Sequence, residues 1–272
     1  MLEKWAAGAG RMLACAGVIL GMWHAMPTLA AVPARTFAAP QPRSAVVIAY
    51  RSSIGNRPLL RSEVLQDLVP RLEGWRRDGT IAGYQLLCNS FVDAKAWDLL
   101  AVLTFRDFAG IEGWRNIERT SPGGLTAREL HLFAPISEYL MDVVQRSHSL
   151  QSGGNSAVFL VIPYVFSPTP LERYLQYAQG YIVPETEGWM RHGNISSYGI
   201  YVNRFYPDEP VQSLLVLEYK DFNALSNRES VIEQTRRELS ADPAWKSWSD
   251  AKDHEHMRAE KQAVIAEQLA AH

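Results

Sequence analysis

Cysteine is almost absent from this chain of 272 residues. There are two, Cys15 and Cys88, and Cys15 lies in an N-terminal segment that reads as removable. A lone remaining Cys88 cannot close an internal disulfide, so no disulfide framework is expected. Cys88 sits in an apolar strand pattern and reads as a buried, inert thiol. Zinc-type Cys/His spacing is missing too, and no metal is expected. His254 and His256 are two apart in a charged helical stretch, where they splay to different faces. No Gly-rich phosphate loop and no nucleophile elbow occur, and no motif implies a cofactor. An excess of either charge is also lacking. The 27 Lys and Arg face 29 Asp and Glu, for a formal net charge of −2, and the body has no basic run. Nucleic acid is therefore not an expected partner.

Long apolar runs are confined to the N-terminus. Lys4 and Arg11 precede an apolar stretch from Met12 to about Met26, then Pro27 and small residues. The stretch is short for a membrane span and has the layout of a secretory signal, with cleavage sites after Ala30, Ala34 or Ala39. Cys15 is not a lipoprotein cysteine, because the apolar run lies mostly after it. Residues 1–39 are thus read as signal peptide and flexible linker. The mature protein is expected to be periplasmic or secreted, with no stable membrane insertion.

What the chain does have is a stretch that occurs twice. Val69, Pro70, Glu73, Gly74, Trp75, Arg77, Gly79, Ile81, Tyr84, Asn89 and Phe91 recur as Val183, Pro184, Glu187, Gly188, Trp189, Arg191, Gly193, Ile195, Tyr198, Asn203 and Phe205. The offset is 114 residues throughout, and 11 of 23 positions are identical without a gap.

Residues 45–50 are a β-rich run. Leu60, Val64, Leu68, Leu72 and Trp75 then trace one helix face. Pro70 should kink or restart that helix, and Gly79 ends it. The period changes to two from Thr80 to Phe91, and Trp97–Phe105 completes a hairpin. Asp107 can N-cap a helix with Phe108 and Ile111 inward. Tyr139–Val144 reads as a fourth strand, with helix as the alternative.

The order is β-α-β-β-α-β, and after a linker at 148–155 it repeats. Gln262–Ala266 would be the last strand. The fold class is α+β, with ferredoxin-like repeats at 44–147 and 156–272. A four-stranded sheet with helices on one face must bury the other. Both hairpins are apolar on both faces, so the two bare faces should pack together as a pseudo-dimeric α/β barrel.

These elements, the repeated block and Asp242-Pro243-Ala244-Trp245 resemble the dimeric α/β-barrel superfamily in tandem form. The last stretch is similar to the Asp-Pro-x-Trp of NIPSNAP-like and antibiotic-biosynthesis-monooxygenase-like members. The first repeat has Ser121-Pro122-Gly123-Gly124 there instead. The resemblance implies a fold that hosts cofactor-free monooxygenases, cyclases, isomerases and haem-handling proteins, so it leaves the reaction open.

Tyr84, Leu86 and Cys88, with Tyr198, Ile200 and Val202, should meet the helices. The opposite face, bearing Gln85, Leu87 and Asn89, with Ser197, Tyr201 and Asn203, should look into the barrel. Gly83, Ser197 and Gly199 would leave room there for a ligand. Gln85, Asn89, Tyr201 and Asn203 are therefore the candidate ligand-binding residues, although Asn89 and Asn203 equally suit hairpin turns. His131 and His192 are the candidate catalytic histidines. Glu73 and Glu187 could form an acid/base pair or simply be structural. Trp75 and Trp189 read as helix anchors.

The expected partner is a small apolar or aromatic molecule held between the repeats, by a binder or a cofactor-independent enzyme. A non-catalytic periplasmic interaction protein and, more weakly, a haem-handling protein are the alternatives. The oligomeric state is open.

Overall fold

The strands of this protein are hydrophobic on both faces because both faces are covered. The computed structural model describes residues 44–93, 95–148 and 156–272. The segment expected to be a signal and most of the expected inter-repeat linker lie outside the described residues. The first repeat runs β1 (Ser44–Ser52), α1 (Arg57–Glu63), α2 (Val69–Arg77), β2 (Gly83–Asn89), β3 (Leu99–Phe105), α3 (Phe108–Glu118), α4 (Ala127–Leu130) and β4 (Phe133–His148). The second runs β5 (Val158–Val165), α5 (Leu171–Tyr177), α6 (Val183–Arg191), β6 (Ile195–Asn203), β7 (Ser213–Tyr219), α7 (Phe222–Ser226), α8 (Arg228–Leu239), α9 (Pro243–Glu255), β8 (Ala259–Glu260) and β9 (Val264–Ala271).

Each repeat contributes four antiparallel strands, in the orders β4-β1-β3-β2 and β9-β5-β7-β6. Pairing of β4 with β6 and of β2 with β9 joins them into a closed barrel of eight strands, with β8 flanking β5. Closure leaves no exposed sheet edge in the ring. All neighbours are antiparallel, so β1 and β5, four steps apart, run the same way. The pseudo-twofold axis therefore lies along the barrel, and equivalent residues of the two repeats meet at the same end.

Three apolar layers follow from the period-two pattern. Tyr84 and Leu86 pack under the helices of repeat one, and Tyr198, Ile200 and Val202 under those of repeat two. Leu87, Tyr201, Val102, Val216 and Met141 fill the barrel.

Pro70 and Pro184 neither break nor sharply restart their helices. Each sits just after a π-helical turn, Val64–Leu68 and Ala178–Ile182, which connects α1 to α2 and α5 to α6. The wider turn accommodates a residue that lacks an N–H and would crowd the preceding carbonyls. Asp107 caps α3 through Gly110 N at 3.1 Å, and Asp221 does the same for α7. Ile111 is buried, but Phe108 is 58 % exposed and lies under the Arg204 guanidinium. The fourth strand is 16 residues long, because it pairs with β1 over one half and β6 over the other.

Candidate functional site

The two hairpin loops, β2–β3 and β6–β7, meet at one end of the barrel. They border a chamber of about 710 Å³, within the range of small-molecule sites. Its walls are apolar: Val47 and Leu100 from repeat one face Val161 and Leu214, their equivalents in repeat two. Ala49 and Pro163 widen it. Lys95, Asp208, Glu209 and Lys261 stand at the open end, and Ser137, Tyr139 and Gln212 add polar groups. Burial pushes the Tyr139 phenol up from its ordinary value, which Ser137 partly offsets by hydrogen bonding.

The chamber is not symmetric. Trp97 stands where the second repeat has Val211, and both line the chamber, so the first repeat supplies the larger side chain.

The opposite end of the barrel holds a smaller, more polar pocket of about 290 Å³. Gln85 and Tyr201 line it, with Arg146 and Glu218. Gln85 donates to Gln268 Oε1 at 2.9 Å, and Ser197 Oγ donates to Glu218 at 2.6 Å. Burial raises the Tyr201 phenol, and Arg146 draws it back.

Ser197 and Gly199 border this smaller pocket, but part of the space expected beside the glycines is taken by protein. A Cβ on Gly83 would stand 2.5 Å from the His272 carbonyl, and one on Gly199 would stand 2.7 Å from the Tyr201 ring. Gly199 thus makes room for its own neighbour's side chain.

Asn89 and Asn203 are buried at the hairpin turns. Asn89 Nδ2 donates to Trp97 O at 2.9 Å, and its Oδ1 accepts from Phe91 N at 3.0 Å. Asn203 repeats both bonds with Val211 O and Phe205 N. Their side chains are spent on the turns, so the four candidate ligand residues do not come together. His131 lies at the end of α4 and His192 at the end of α6, where its Nε2 is 3.0 Å from Glu238 Oε2. Neither borders either barrel pocket. Glu73 accepts from Tyr84 OH at 2.7 Å and pairs with Arg76, while Glu187 is exposed. Glu73 is thus held by structural contacts. Among the described residues no cluster of three metal-binding side chains occurs.

A second acidic pair lies outside the chamber. Glu118 accepts from Gly123 N at 2.7 Å, and Glu138 accepts from Trp114 Nε1 at 3.0 Å. Burial and the Glu138 charge push Glu118 up from 4.5 to about 7. A raised carboxylate favours the protonated fold. Its contribution is complete below the ordinary value and is lost as pH rises through about 7. After discounting for solvent screening, the loss is about 1 kcal/mol. Thermal unfolding should show Tm lower by about 2–4 °C at pH 8 than at pH 5 from this source. Glu118→Gln should remove that part of the slope; an unchanged slope would dismiss the pair.

The architecture and the axial chamber define a tandem, single-chain dimeric α/β barrel. A candidate monooxygenase from Lactobacillus acidophilus NCFM has the same fold, with a TM-score of 0.52 and 11% identity over 85% of this chain and 95% of that one. A candidate monooxygenase from Fusobacterium nucleatum follows at 0.51 and 12%, over 85% and 94%. At these identities the likeness is one of fold. No family model and no curated protein matches the chain.

Sequence reasoning found the interior face but missed the chamber residues Trp97, Tyr139 and Gln212. One signal was available. Position 98 is Asp and position 212, its equivalent at the repeat offset, is Gln.

Proposed function

We propose that this protein is an exported binder of a small apolar or aromatic molecule, which it holds in the chamber at the hairpin end. The chamber itself carries the reading: an opening of about 710 Å³ with aliphatic walls between the repeats and charged residues at its mouth. A concave, mostly apolar space of this size with a few polar groups is the usual form of a small-molecule site. Histidine and cysteine are absent from its described lining. A histidine-ligated haem does not fit these residues.

Export follows from the signal-like layout of residues 1–39. The test uses the processed chain from a secreting bacterial host. N-terminal sequencing should find a start between residues 31 and 40; an intact Met1 in the cytosol would overturn export. The neutral fluorophore N-phenyl-1-naphthylamine should then bind saturably at one site. Ala49→Phe, which fills the chamber wall, should weaken it at least tenfold. Equal affinity in both proteins would place the probe elsewhere and sink the chamber reading.

A further inference from the structure

Gln212 has an amide whose orientation is fixed and whose donor is unused. Its Oε1 accepts the N–H groups of Phe166 at 2.8 Å and Ser167 at 2.7 Å. Backbone N–H can only donate, so this atom is the oxygen and the other branch is the NH2. Strand alternation puts Gln212 on the face of Leu214 and Val216, the barrel interior. It borders the chamber and is 2 % exposed. No hydrogen bond from its Nε2 is found among the described residues. Nε2 is not one of the fully buried atoms that lack a partner, so it keeps some accessible area, and the residue borders the chamber.

The repeat shows how this position is normally completed. Asp98 is the equivalent of Gln212, and Ser52 of Phe166. Ser52 N donates to Asp98 Oδ2 at 2.9 Å, the same bond. The other Asp98 oxygen then meets the Arg57 guanidinium at 3.5 Å. In the second repeat the residue at the Arg57 position is Leu171, which offers nothing polar. The first repeat satisfies its own group, and the second leaves the donor without a protein partner among the described residues.

We propose that Gln212 Nε2 donates to a carbonyl oxygen of the bound molecule, so that the ligand is an apolar or aromatic carbonyl compound. This rests on the chamber reading and narrows it. The pinned amide sets where that oxygen sits, and the aliphatic walls hold the remainder. The backbone N–H groups of Phe166 and Ser167 keep the donor from rotating away, so the site is ready-made.

The experiment compares 2-acetylnaphthalene with 2-ethylnaphthalene, which has the same outline without the oxygen, by calorimetric titration at pH 8. Gln212→Glu keeps the acceptor for Phe166 and Ser167 and replaces the NH2 by a second acceptor. The two N–H bonds favour the ionised form. Acetylnaphthalene should lose at least tenfold in affinity, and ethylnaphthalene less than about twofold. Gln212→Met, which brings no charge, should give the same selective loss. If both probes bind the wild type and neither variant separates them, the inference is overturned while the chamber reading stands. If neither probe binds the wild type, the chamber reading falls and this inference with it.

Discussion

Gly188→Ala is expected to lower stability by about 2 kcal/mol, and Gly74→Ala, at the matching position of the first repeat, to raise it by about 0.5–1 kcal/mol. Both glycines lie inside helices, α6 and α2, where alanine is intrinsically preferred. Space decides the sign. A Cβ on Gly74 meets nothing within 4 Å, whereas one on Gly188 would stand 2.2 Å from Thr235 Cγ2. Thr235 cannot swing aside, being fully buried and stiff at χ1. The helices α6 and α8 would have to separate.

Urea unfolding of the two variants measures both signs. The Gly188 variant should also lose about 4–8 °C in Tm. Thr235→Ser removes the clashing methyl, so combining it with Gly188→Ala should recover most of the loss, a coupling that distant sites would not show. Equal effects of the two glycine substitutions would mean that the close helix approach is not real.

That asymmetry also explains what could be read from the chain. The repeat, the element order and the interior face of each strand are short-range properties, written in matched residues and in period two. Leu87 and Tyr201 inside the barrel, and Gly79 at φ 86° ending α2, follow from them. Depth along the barrel does not. It depends on register between distant strands, such as Tyr139 opposite Val47, which no local pattern encodes. Hence Gln85 and Tyr201 were legible as interior residues, but not as lying at the end away from the large chamber.

Asn89 and Asn203 were ambiguous because an asparagine that shapes a turn and one that binds a ligand look alike until their partners are known. Gln212 was hidden for a related reason. Its role comes from backbone N–H groups 45 and 46 residues away. The difference from Asp98 was visible, but its meaning needed Arg57 and Leu171 placed beside it.

Trp245→Ala is expected to cost about 3–5 kcal/mol, the range for emptying a buried aromatic site. The indole is 4 % exposed and stacks on Tyr181 at 5.0 Å between ring centroids, and Tyr181 stacks in turn on Tyr177 at 5.2 Å. Its Nε1 donates to Tyr181 O at 3.3 Å, inside the π-helical turn. Asp242 caps α9 through Ala244 N at 2.9 Å, with Pro243 in the first turn. The Asp-Pro-Ala-Trp stretch therefore starts a helix and pins it, and does not enter either barrel pocket. Removing the ring would leave a void beside Tyr181 in the core of the second repeat and remove the bond to its carbonyl.

The consequence reaches the chamber through the chain. The helix α9 leads into β9, which closes the barrel between β2 and β5, and Lys261 and Val264 at its start border the opening. Thermal unfolding should show a loss of about 10 °C or more. Trp245→Phe, which retains a stacked ring and loses only the donor and part of the volume, should cost about 1–1.5 kcal/mol. If the alanine variant loses less than about 1 kcal/mol, the aromatic stack does not anchor the helix and the stretch would need another role. A large loss in Trp245→Ala together with near-normal fluorophore binding at low temperature would show that the motif holds the barrel closed and takes no direct part in binding.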